Sequence, residues 1–198
     1  NSKGIAYGET KSFVTHTYAM PVLGATSASA VSYTSATLSG SITSAGDLAV
    51  TSRGFVYGTT PNPTTANTKV AVGAGVGSFT TNLTTLSNGT TYYVRSFAQN
   101  SKDVVYSTET TFTTPAYGLA TVGTTTVSNI SFTSATVAAS ITADGGQTVT
   151  ERGFVYATTP NPTTTNSKIT VGSGTGSFNS ELKNLEPSTL YYVLAYAI

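Results

Sequence analysis

The residue types that carry out most enzyme chemistry are scarce in this sequence. It has 198 residues, with a single His, no Cys and eight acidic side chains. His16 is thus the one candidate for an imidazole base or metal ligand, and thiol nucleophiles and cysteine-ligated zinc are excluded. The acids show neither the spacing of a calcium loop nor the pairing of glycosidase carboxylates. The sequence therefore predicts no catalytic residue, no metal site and no cofactor, and a protein that is not an enzyme.

Two glycine-rich stretches invite comparison with phosphate-binding loops. Residues 73–77 read GAGVG, and residues 172–176 read GSGTG. Neither is followed by a helical pattern or by the Lys-Ser/Thr pair of a P-loop, so both are predicted to be hairpin loops. Arg53 and Arg152 recur beside aromatic residues. That setting favours a guanidinium stacked on a ring or paired with an acid, rather than a ligand-binding cation.

Charge and hydropathy exclude two classes of partner. The formal net charge is +1, from nine Lys and Arg against eight Asp and Glu. Because no basic stripe is present to neutralise phosphates, nucleic acid is not expected as a partner. No apolar run approaches the roughly 18 residues of a membrane-spanning helix, so no membrane insertion is predicted.

The elements that must position the remaining residues are β-strands. Thr and Val, together with 12 Tyr and 8 Phe, favour strands over helices. Strand patterns separated by turn residues arrive every 8 to 12 residues, as in a β-sandwich. Seven strands are predicted in the first repeat: residues 26–31, 34–43, 50–57, 69–72, 78–83, 90–98 and 104–112.

An internal repeat organises the chain. Residues 53–57 (RGFVY) recur as residues 152–156, an offset of 99 residues that needs no insertion anywhere in the sequence. A period this long corresponds to a whole small domain rather than to a solenoid repeat. The predicted boundaries are a separate strand (1–15), a linker (16–24), a first β-sandwich (25–115), a second linker (116–123) and a second β-sandwich (124–198).

Several motifs resemble a known family. Residues 185–193 (LEPSTLYYV) and 86–94 (LSNGTTYYV) resemble the fibronectin type III pattern that leads into strand F, including its tyrosine corner. The phrases TSAT, RGFVY and TTPNPTT are similar to tandem repeats of bacterial, Bacteroidota-type, cell-surface proteins. The resemblance implies Ig-like sandwiches in an extracellular protein, and it names no ligand. The absence of Trp departs from the animal family, so its core packing is not implied.

The repeat does not start where a domain starts. Residues 1–15 (NSKGIAYGETKSFVT) align with residues 100–114 (NSKDVVYSTETTFTT), which form the last strand, G, of the first sandwich. The second sandwich is therefore predicted to lack its own strand G. Ile5, Tyr7 and Phe13 are predicted to share one strand face and to act as a donor strand. The predicted acceptor residues are Tyr191, Tyr192, Val193, Ala195 and Ala197.

This mismatch between the start of the repeat and the start of a domain predicts a structural role. An N-terminal strand that completes the last sandwich of an identical subunit would join subunits head to tail, giving an extracellular filament or surface stalk. Surface glycans or other cells are the further partners that such a stalk would meet. One alternative is an excerpt of a longer covalent tandem-repeat adhesin. Another is a carbohydrate-binding or spacer module of a secreted enzyme, with Tyr93 and Phe97 on an aromatic platform.

The two linkers are apolar rather than rich in Gly and Ser, so they are predicted to stiffen the connections between sandwiches. The residues predicted to make inter-domain contacts are Tyr18, Met20, Leu23, Tyr117, Leu119 and Val122.

Overall fold

The chain divides into two units, Asn1–Thr114 and Pro115–Ile198. The computed structural model describes residues 2–198, so Asn1 of the predicted donor strand lies outside the described residues. Every regular element in this range is a β-strand, and the predicted all-β fold of tandem sandwiches is confirmed. Between residues 2 and 198 there is no helix long and apolar enough to cross a membrane.

The first unit is a β-sandwich of two sheets. Its strands are β1 (Val22–Leu23), β2 (Ser27–Ser29), β3 (Ala36–Ser44), β4 (Ser52–Gly58), β5 (Thr68–Gly73), β6 (Gly77–Leu83), β7 (Thr91–Gln99), β8 (Val104–Tyr106) and β9 (Thr110–Thr113). One sheet places β3 between β6 on one side and β1 and β2 on the other, and the second has the order β5-β4-β7 with β8 and β9 both paired to the outer side of β7. The first edge strand, β1 and β2, and strand G, β8 and β9, are thus each built from two short pieces.

The second unit repeats this arrangement up to strand F. Its first sheet has β12 between β15 and the pair β10 and β11, and its second sheet has the order β14-β13-β16. The registers follow the 99-residue offset, since Phe55 lies opposite Ser96 and Phe154 lies opposite Ala195. The strands are β10 (Thr121–Val122), β11 (Thr126–Ser128), β12 (Ala135–Ala143), β13 (Arg152–Ala157), β14 (Ser167–Gly172), β15 (Gly176–Leu182) and β16 (Tyr192–Ala197).

Alternating side chains explain why these segments form half-buried strands. Along β3, Ala36, Leu38 and Ile42 are buried while the intervening residues are partly exposed, and β12 repeats the pattern. Such a period of two places one face of each strand in the core. The two sheets of the first unit meet at Phe55 and Phe79, whose ring centroids are 5.1 Å apart.

Strand G of the first unit is not the single strand that the sequence predicted. β8 and β9 are separated by residues 107–109, and the pairing register on β7 shifts by one residue between them. A one-residue shift reverses which face each side chain takes. Phe112 therefore packs in the core, whereas Val104 and Tyr106 lie on the outer face of the sheet. Val104, Tyr106 and Phe112 therefore do not share one face. The common face predicted from them for Ile5, Tyr7 and Phe13 stays a prediction.

Both predicted linkers are shorter than expected, because each contributes a strand to the sandwich that follows it. Val22 and Leu23 pair with β3, and Thr121 and Val122 pair with β12. Leu23 packs against the core of the first sandwich, so it is held by that domain. Of the other residues predicted at the joints, Tyr18 lies under the Lys102 ammonium, 5.2 Å from it, and Leu119 is 94% exposed. Contacts between the sandwiches by Tyr18, Met20, Tyr117, Leu119 and Val122 stay a prediction.

The glycine-rich stretches are not hairpin loops. The first links β5 to β6, which belong to different sheets, so it crosses from one sheet to the other. Arg53 donates from Nη1 to three carbonyl groups of this crossing, the shortest bond being 2.7 Å to Val76 O, and its guanidinium lies 5.0 Å from the Phe79 ring centroid. Arg152 repeats both contacts in the second unit. The two arginines fasten these crossings, in line with the stacking role predicted for them.

Candidate functional site at the open edge of the second sandwich

Strand F has one neighbour in the second unit and neighbours on both sides in the first. β7 pairs with β4 on one side and with β8 and β9 on the other. β16 pairs with β13, and no strand formed by residues 2–198 pairs with its other side. We call the side of β16 that faces away from β13 the open edge. Such an edge carries backbone N–H and C=O groups available to another strand.

The core beside the open edge is less covered than its counterpart. Tyr92, Val94 and Ala98 on β7 are 8%, 0% and 0% exposed. The equivalent residues of the second unit, Tyr191, Val193 and Ala197, are all partly exposed. Because the register of β13 with β16 matches that of β4 with β7, the difference comes from the open edge and not from a change of fold.

An apolar groove opens at the end of the second sandwich where strand F begins. It encloses about 520 Å³ and is bounded by the start of strand F, the loop before it and the connection between β11 and β12. Ile130, Phe132 and Leu190 in its walls are 77%, 87% and 68% exposed. We call it the end groove. Its main apolar lining residues are Val127, Ile130, Phe132, Leu185, Leu190 and Tyr191.

Phe112 shows what occupies the equivalent space in the first sandwich. Its ring stacks on Tyr92, with centroids 5.5 Å apart and planes at 21°, and it is 9% exposed. It belongs to the same packed cluster as Leu86 and Val31, the equivalents of Leu185 and Ile130 in the end groove. The end groove thus corresponds to the binding position of the closing strand's phenylalanine.

Thr114 fixes the end of the closing strand by hydrogen bonds. Its side chain is 1% exposed. Thr114 Oγ1 donates to Ser87 O at 2.6 Å and accepts from Thr90 N–H at 3.0 Å, while Thr114 N–H donates to Thr90 O. The equivalent of Thr114 in residues 1–15 is Thr15.

The repeated TTPNPTT loop is a second receptor for the closing strand. In the first unit Thr65 N–H donates to the Tyr106 hydroxyl at 2.9 Å, and Asn62 N–H donates to the Glu109 carboxylate. Thr164 is the equivalent of Thr65. Tyr7 occupies the position of Tyr106 in the sequence alignment.

Residues 2–15, which we call the N-terminal segment, form no strand within the chain. Ile5, Tyr7 and Phe13 are 81%, 88% and 89% exposed. Large apolar side chains so fully exposed along a single segment are typical of a surface that is covered in another state. Within one chain β16 pairs with β13 alone, so the pairing of the predicted donor with the predicted acceptor stays a prediction.

The acceptor residues occupy two faces of strand F. Val193, Ala195 and Ala197 pack against the core cluster, whereas Tyr192, next to Tyr191, is equivalent to the outward Tyr93. The Tyr191 hydroxyl accepts from Glu186 N–H at 3.1 Å, as Tyr92 accepts from Ser87 N–H at 2.9 Å. Both tyrosine corners implied by the resemblance are therefore present.

A polar cluster stabilises the β13 side of strand F. Glu151 Oε1 accepts a hydrogen bond from the Lys168 ammonium at 2.8 Å and one from the Tyr196 hydroxyl at 2.6 Å. These two bonds hold the pKa of the Glu151 carboxyl below its usual value. Burial first, and then the bond to Glu151, raise the pKa of Tyr196. The bond to Glu151 raises the pKa of Lys168 as well.

Sequence reasoning missed part of this surface. It did not identify the groove residues Ile130, Phe132 and Leu190, nor Val14 and Thr15 on the donor side. Comparing strand F and strand G with the residues 99 positions away would have found Leu190 and Val14, which replace Thr91 and Thr113, a pair across the two strands. The proposed aromatic platform is wrong for Phe97, which is fully buried with Lys69 Nζ 5.6 Å from its ring centroid.

Comparisons with known proteins concern the fold alone. No protein-family model and no curated protein matches the chain. A two-domain fibronectin type III segment of chicken tenascin matches with 19% identity and a TM-score of 0.34, covering 90% of each chain. The FN1–FN3 domains of chicken CNTN1 match with 16% identity and the same TM-score, over 81% of this chain and 54% of that one. Both superpositions are loose, and the assignment of each unit as a β-sandwich rests on the strand order given above. The bacterial origin that the resemblance implies stays a prediction.

Proposed function

We propose that this protein is a non-catalytic structural subunit that polymerises head to tail by donor-strand complementation. The N-terminal segment of one copy pairs with the open edge of β16 in the next copy and supplies the missing strand G. Because donor and acceptor lie at opposite ends of the sequence, each added copy presents a new open edge, and the contact propagates. The product is an extracellular filament or stalk, a location supported by the resemblance to surface repeats.

The correspondence between the N-terminal segment and β8–β9 is the observation that carries the proposal. The three side chains that fasten β8 and β9 to the first sandwich are Tyr106, Phe112 and Thr114. All three recur, as Tyr7, Phe13 and Thr15. Their receptors recur too, as Thr164, Tyr191 and Thr189.

The interaction has the energetics of strand addition. Backbone pairing supplies affinity, at roughly 0.5 to 1.5 kcal/mol per hydrogen bond, and side-chain pockets supply specificity. Burial of Phe13 in the end groove adds about 1.5 to 3 kcal/mol. One core position is smaller than in the first sandwich, since Ala6 stands where Val105 packs.

Deletion of residues 1–15 tests the proposal. The full chain is expected to form concentration-dependent oligomers in light scattering and linear particles in electron microscopy. The deleted chain is expected to stay monomeric and to bind a synthetic peptide of residues 2–15 with a stoichiometry of one. A matched control peptide carries Phe13→Ala and Tyr7→Ala, and binds much more weakly.

Two results contradict the proposal. One is a deleted chain that assembles as the full chain does. The other is a deleted chain that is folded but fails to bind the peptide. A full chain that remains monomeric at millimolar concentration, with its N-terminal segment unpaired, favours the longer covalent array, in which the stretch after each strand F closes its own sandwich.

A further inference from the structure

We propose that the junction between copies keeps the pairing of the first sandwich, including its one-residue shift, so that Val14 pairs with Leu190 and Ile5 pairs with Ile198, and that these two apolar pairs make the N-terminal segment selective for the second sandwich. This inference rests on the proposed function and specifies the partner of each donor residue. It concerns donor positions whose equivalents, Thr113 and Val104, lie outside the packed core of the first sandwich, unlike the position of Phe13. We call these the two outer pairs.

The first sandwich supplies the register. Thr91 lies opposite Thr113, and Gln99 lies opposite Val104. The 99-residue offset relates strand G positions 113 and 104 to residues 14 and 5. It relates strand F positions 91 and 99 to residues 190 and 198. The internal pairs thus map onto Leu190 with Val14 and onto Ile198 with Ile5.

The first pair is polar in the first sandwich and apolar at the junction. Thr91 and Thr113 are exposed, and their hydroxyl oxygens are 2.9 Å apart in a hydrogen bond across the strands. At the mapped positions both threonines are replaced by aliphatic residues. Leu190 is 68% exposed and Val14 is 93% exposed. Each would leave water on pairing with the other, whereas a threonine opposite Leu190 would forgo this burial and leave its own hydroxyl without the cross-strand bond.

The second pair changes in the same direction. Gln99 opposite Val104 becomes Ile198 opposite Ile5. Ile198 is 61% exposed and Ile5 is 81% exposed. Ile198 is held in line with strand F, because its N–H donates to Glu151 O at 2.8 Å and its carbonyl accepts from Thr150 N–H at 2.7 Å. Its side chain is therefore positioned to meet a residue on the adjacent strand.

The aromatic contact of the junction does not discriminate between donor strands. Tyr92 with Phe112 maps onto Tyr191 with Phe13, so this pair is identical in both sandwiches. The other core position favours the internal strand G, because Ala6 stands where Val105 packs. Selectivity for the N-terminal segment over the internal strand G therefore has to come from the two outer pairs.

Cysteine cross-linking of the full chain tests the register. The sequence has no cysteine of its own. Thr114 N–H donates to Thr90 O, so the alternation of an antiparallel ladder makes Thr91 and Thr113 a non-hydrogen-bonded pair, with Cα atoms about 4.5 Å apart. That spacing suits a disulfide. A chain with Val14→Cys and Leu190→Cys is expected to give a ladder of covalent oligomers on oxidation.

The matched control chain carries Lys11→Cys and Leu190→Cys. Residue 11 lies three positions from residue 14, roughly 10 Å along a strand and beyond the reach of a disulfide, so this chain is expected to assemble without forming the ladder. Assembly with cross-links from position 11, or with none from position 14, overturns the register while leaving the proposed function intact. Absence of both assembly and cross-links contradicts the proposed function itself.

Peptide competition tests the selectivity. A peptide of residues 2–15 is expected to halve the assembly of the full chain at a several-fold lower concentration than a peptide of residues 101–114. Val14→Thr in the first peptide should weaken it roughly 1.5- to 5-fold. Against a chain carrying Leu190→Thr, the same substitution should cost less, because the threonine pair is restored. Equal potency of the two natural peptides overturns the selectivity.

Discussion

Gly54 on β4 and Gly153 on β13 lie at equivalent positions where a side chain has no room. A Cβ atom on Gly54 would lie 2.0 Å from Val70 O, and one on Gly153 would lie 1.9 Å from Ile169 O. At both sites the register with the neighbouring strand shifts, between Arg53 and Gly54 in the first unit. The RGFVY motif thus combines an arginine that fastens the inter-sheet crossing with a glycine that allows the adjacent strand to approach.

Gly54→Ala is expected to destabilise the first sandwich by about 1 to 3 kcal/mol, because the new methyl group meets backbone atoms that cannot move independently. Gly58→Ala on the same strand is the matched control. Its nearest neighbour would be Asn67 Nδ2 at 4.0 Å, so an effect within about 0.5 kcal/mol is expected. Denaturant unfolding followed by the tyrosine signal measures both variants, and equal effects would show that the close approach is unimportant.

The Glu151 cluster gives the second sandwich a pH-dependent contribution. The pKa of Glu151 is lowered by its bonds to Lys168 and Tyr196. A carboxyl with a lower pKa in the folded state stabilises that state above its unfolded pKa, and the contribution is lost as pH falls through the folded pKa. The effect is small, since the Glu151 and Lys168 side chains are about one-third exposed.

Lys168→Met is therefore expected to lower the unfolding temperature of the second sandwich at pH 7 and to have a smaller effect near pH 3. In the same variant the NMR titration midpoint of the Glu151 carboxyl should rise towards its usual value. An unchanged midpoint would mean that the Lys168 bond does not persist in solution.

The closing strand is the element that distinguishes the two sandwiches. β8 and β9 cover the first core through Phe112, and the second core has a groove at the same place. The two equivalent phenylalanines therefore have different roles. Phe112 is buried and stabilises its own sandwich, whereas Phe13 is 89% exposed and adds no stability to a single chain.

Phe112→Ala is expected to destabilise the first sandwich by about 3 to 5 kcal/mol, as for other buried phenylalanines. Phe13→Ala should leave the unfolding of both sandwiches unchanged at concentrations where the chain is monomeric, and should weaken assembly. Calorimetry below and above the assembly threshold separates the two effects. A Phe13→Ala chain that assembles as strongly as the parent would remove Phe13 from the junction.

Much of the fold followed from local patterns in the sequence. Strands 36–44, 52–58, 77–83 and 91–99 lie within two residues of their predicted bounds, because a period of two and turn residues mark them directly. The break in strand G did not follow, because it depends on tertiary bonds. Ser107 Oγ accepts from Ser96 N–H at 3.0 Å and lies 2.9 Å from Thr26 Oγ1, and both partners are distant in sequence.

The candidate site was predicted in outline only. The match of residues 1–15 to strand G could be predicted, because it depends only on identical residues within this one sequence. The faces of the donor residues depend on the one-residue shift between β8 and β9, which places Tyr7 outward and Phe13 inward by equivalence. The end groove depends on the exposure of Ile130 and Phe132, which the alternation of β12 does not reveal.

At the scale of the whole molecule, the chain contains two equivalent folds that differ at one sheet edge. β7 has neighbouring strands on both sides, whereas among residues 2–198 β16 has an open edge and the N-terminal segment is exposed. An assembly built this way would be disrupted by strand competitors rather than by reduction, since the sequence has no cysteine.

Relocation of the N-terminal segment tests the central claim most directly. Residues 1–15 are removed from the front and joined directly after Ile198, which reproduces the natural step from Gln99 to Asn100. The relocated chain is expected to close its own second sandwich and to sediment as a monomer at concentrations where the parent chain forms oligomers, with a higher unfolding temperature for that sandwich. Continued polymerisation of the relocated chain, or an unchanged unfolding temperature, would contradict the claim that this segment fills the edge of β16.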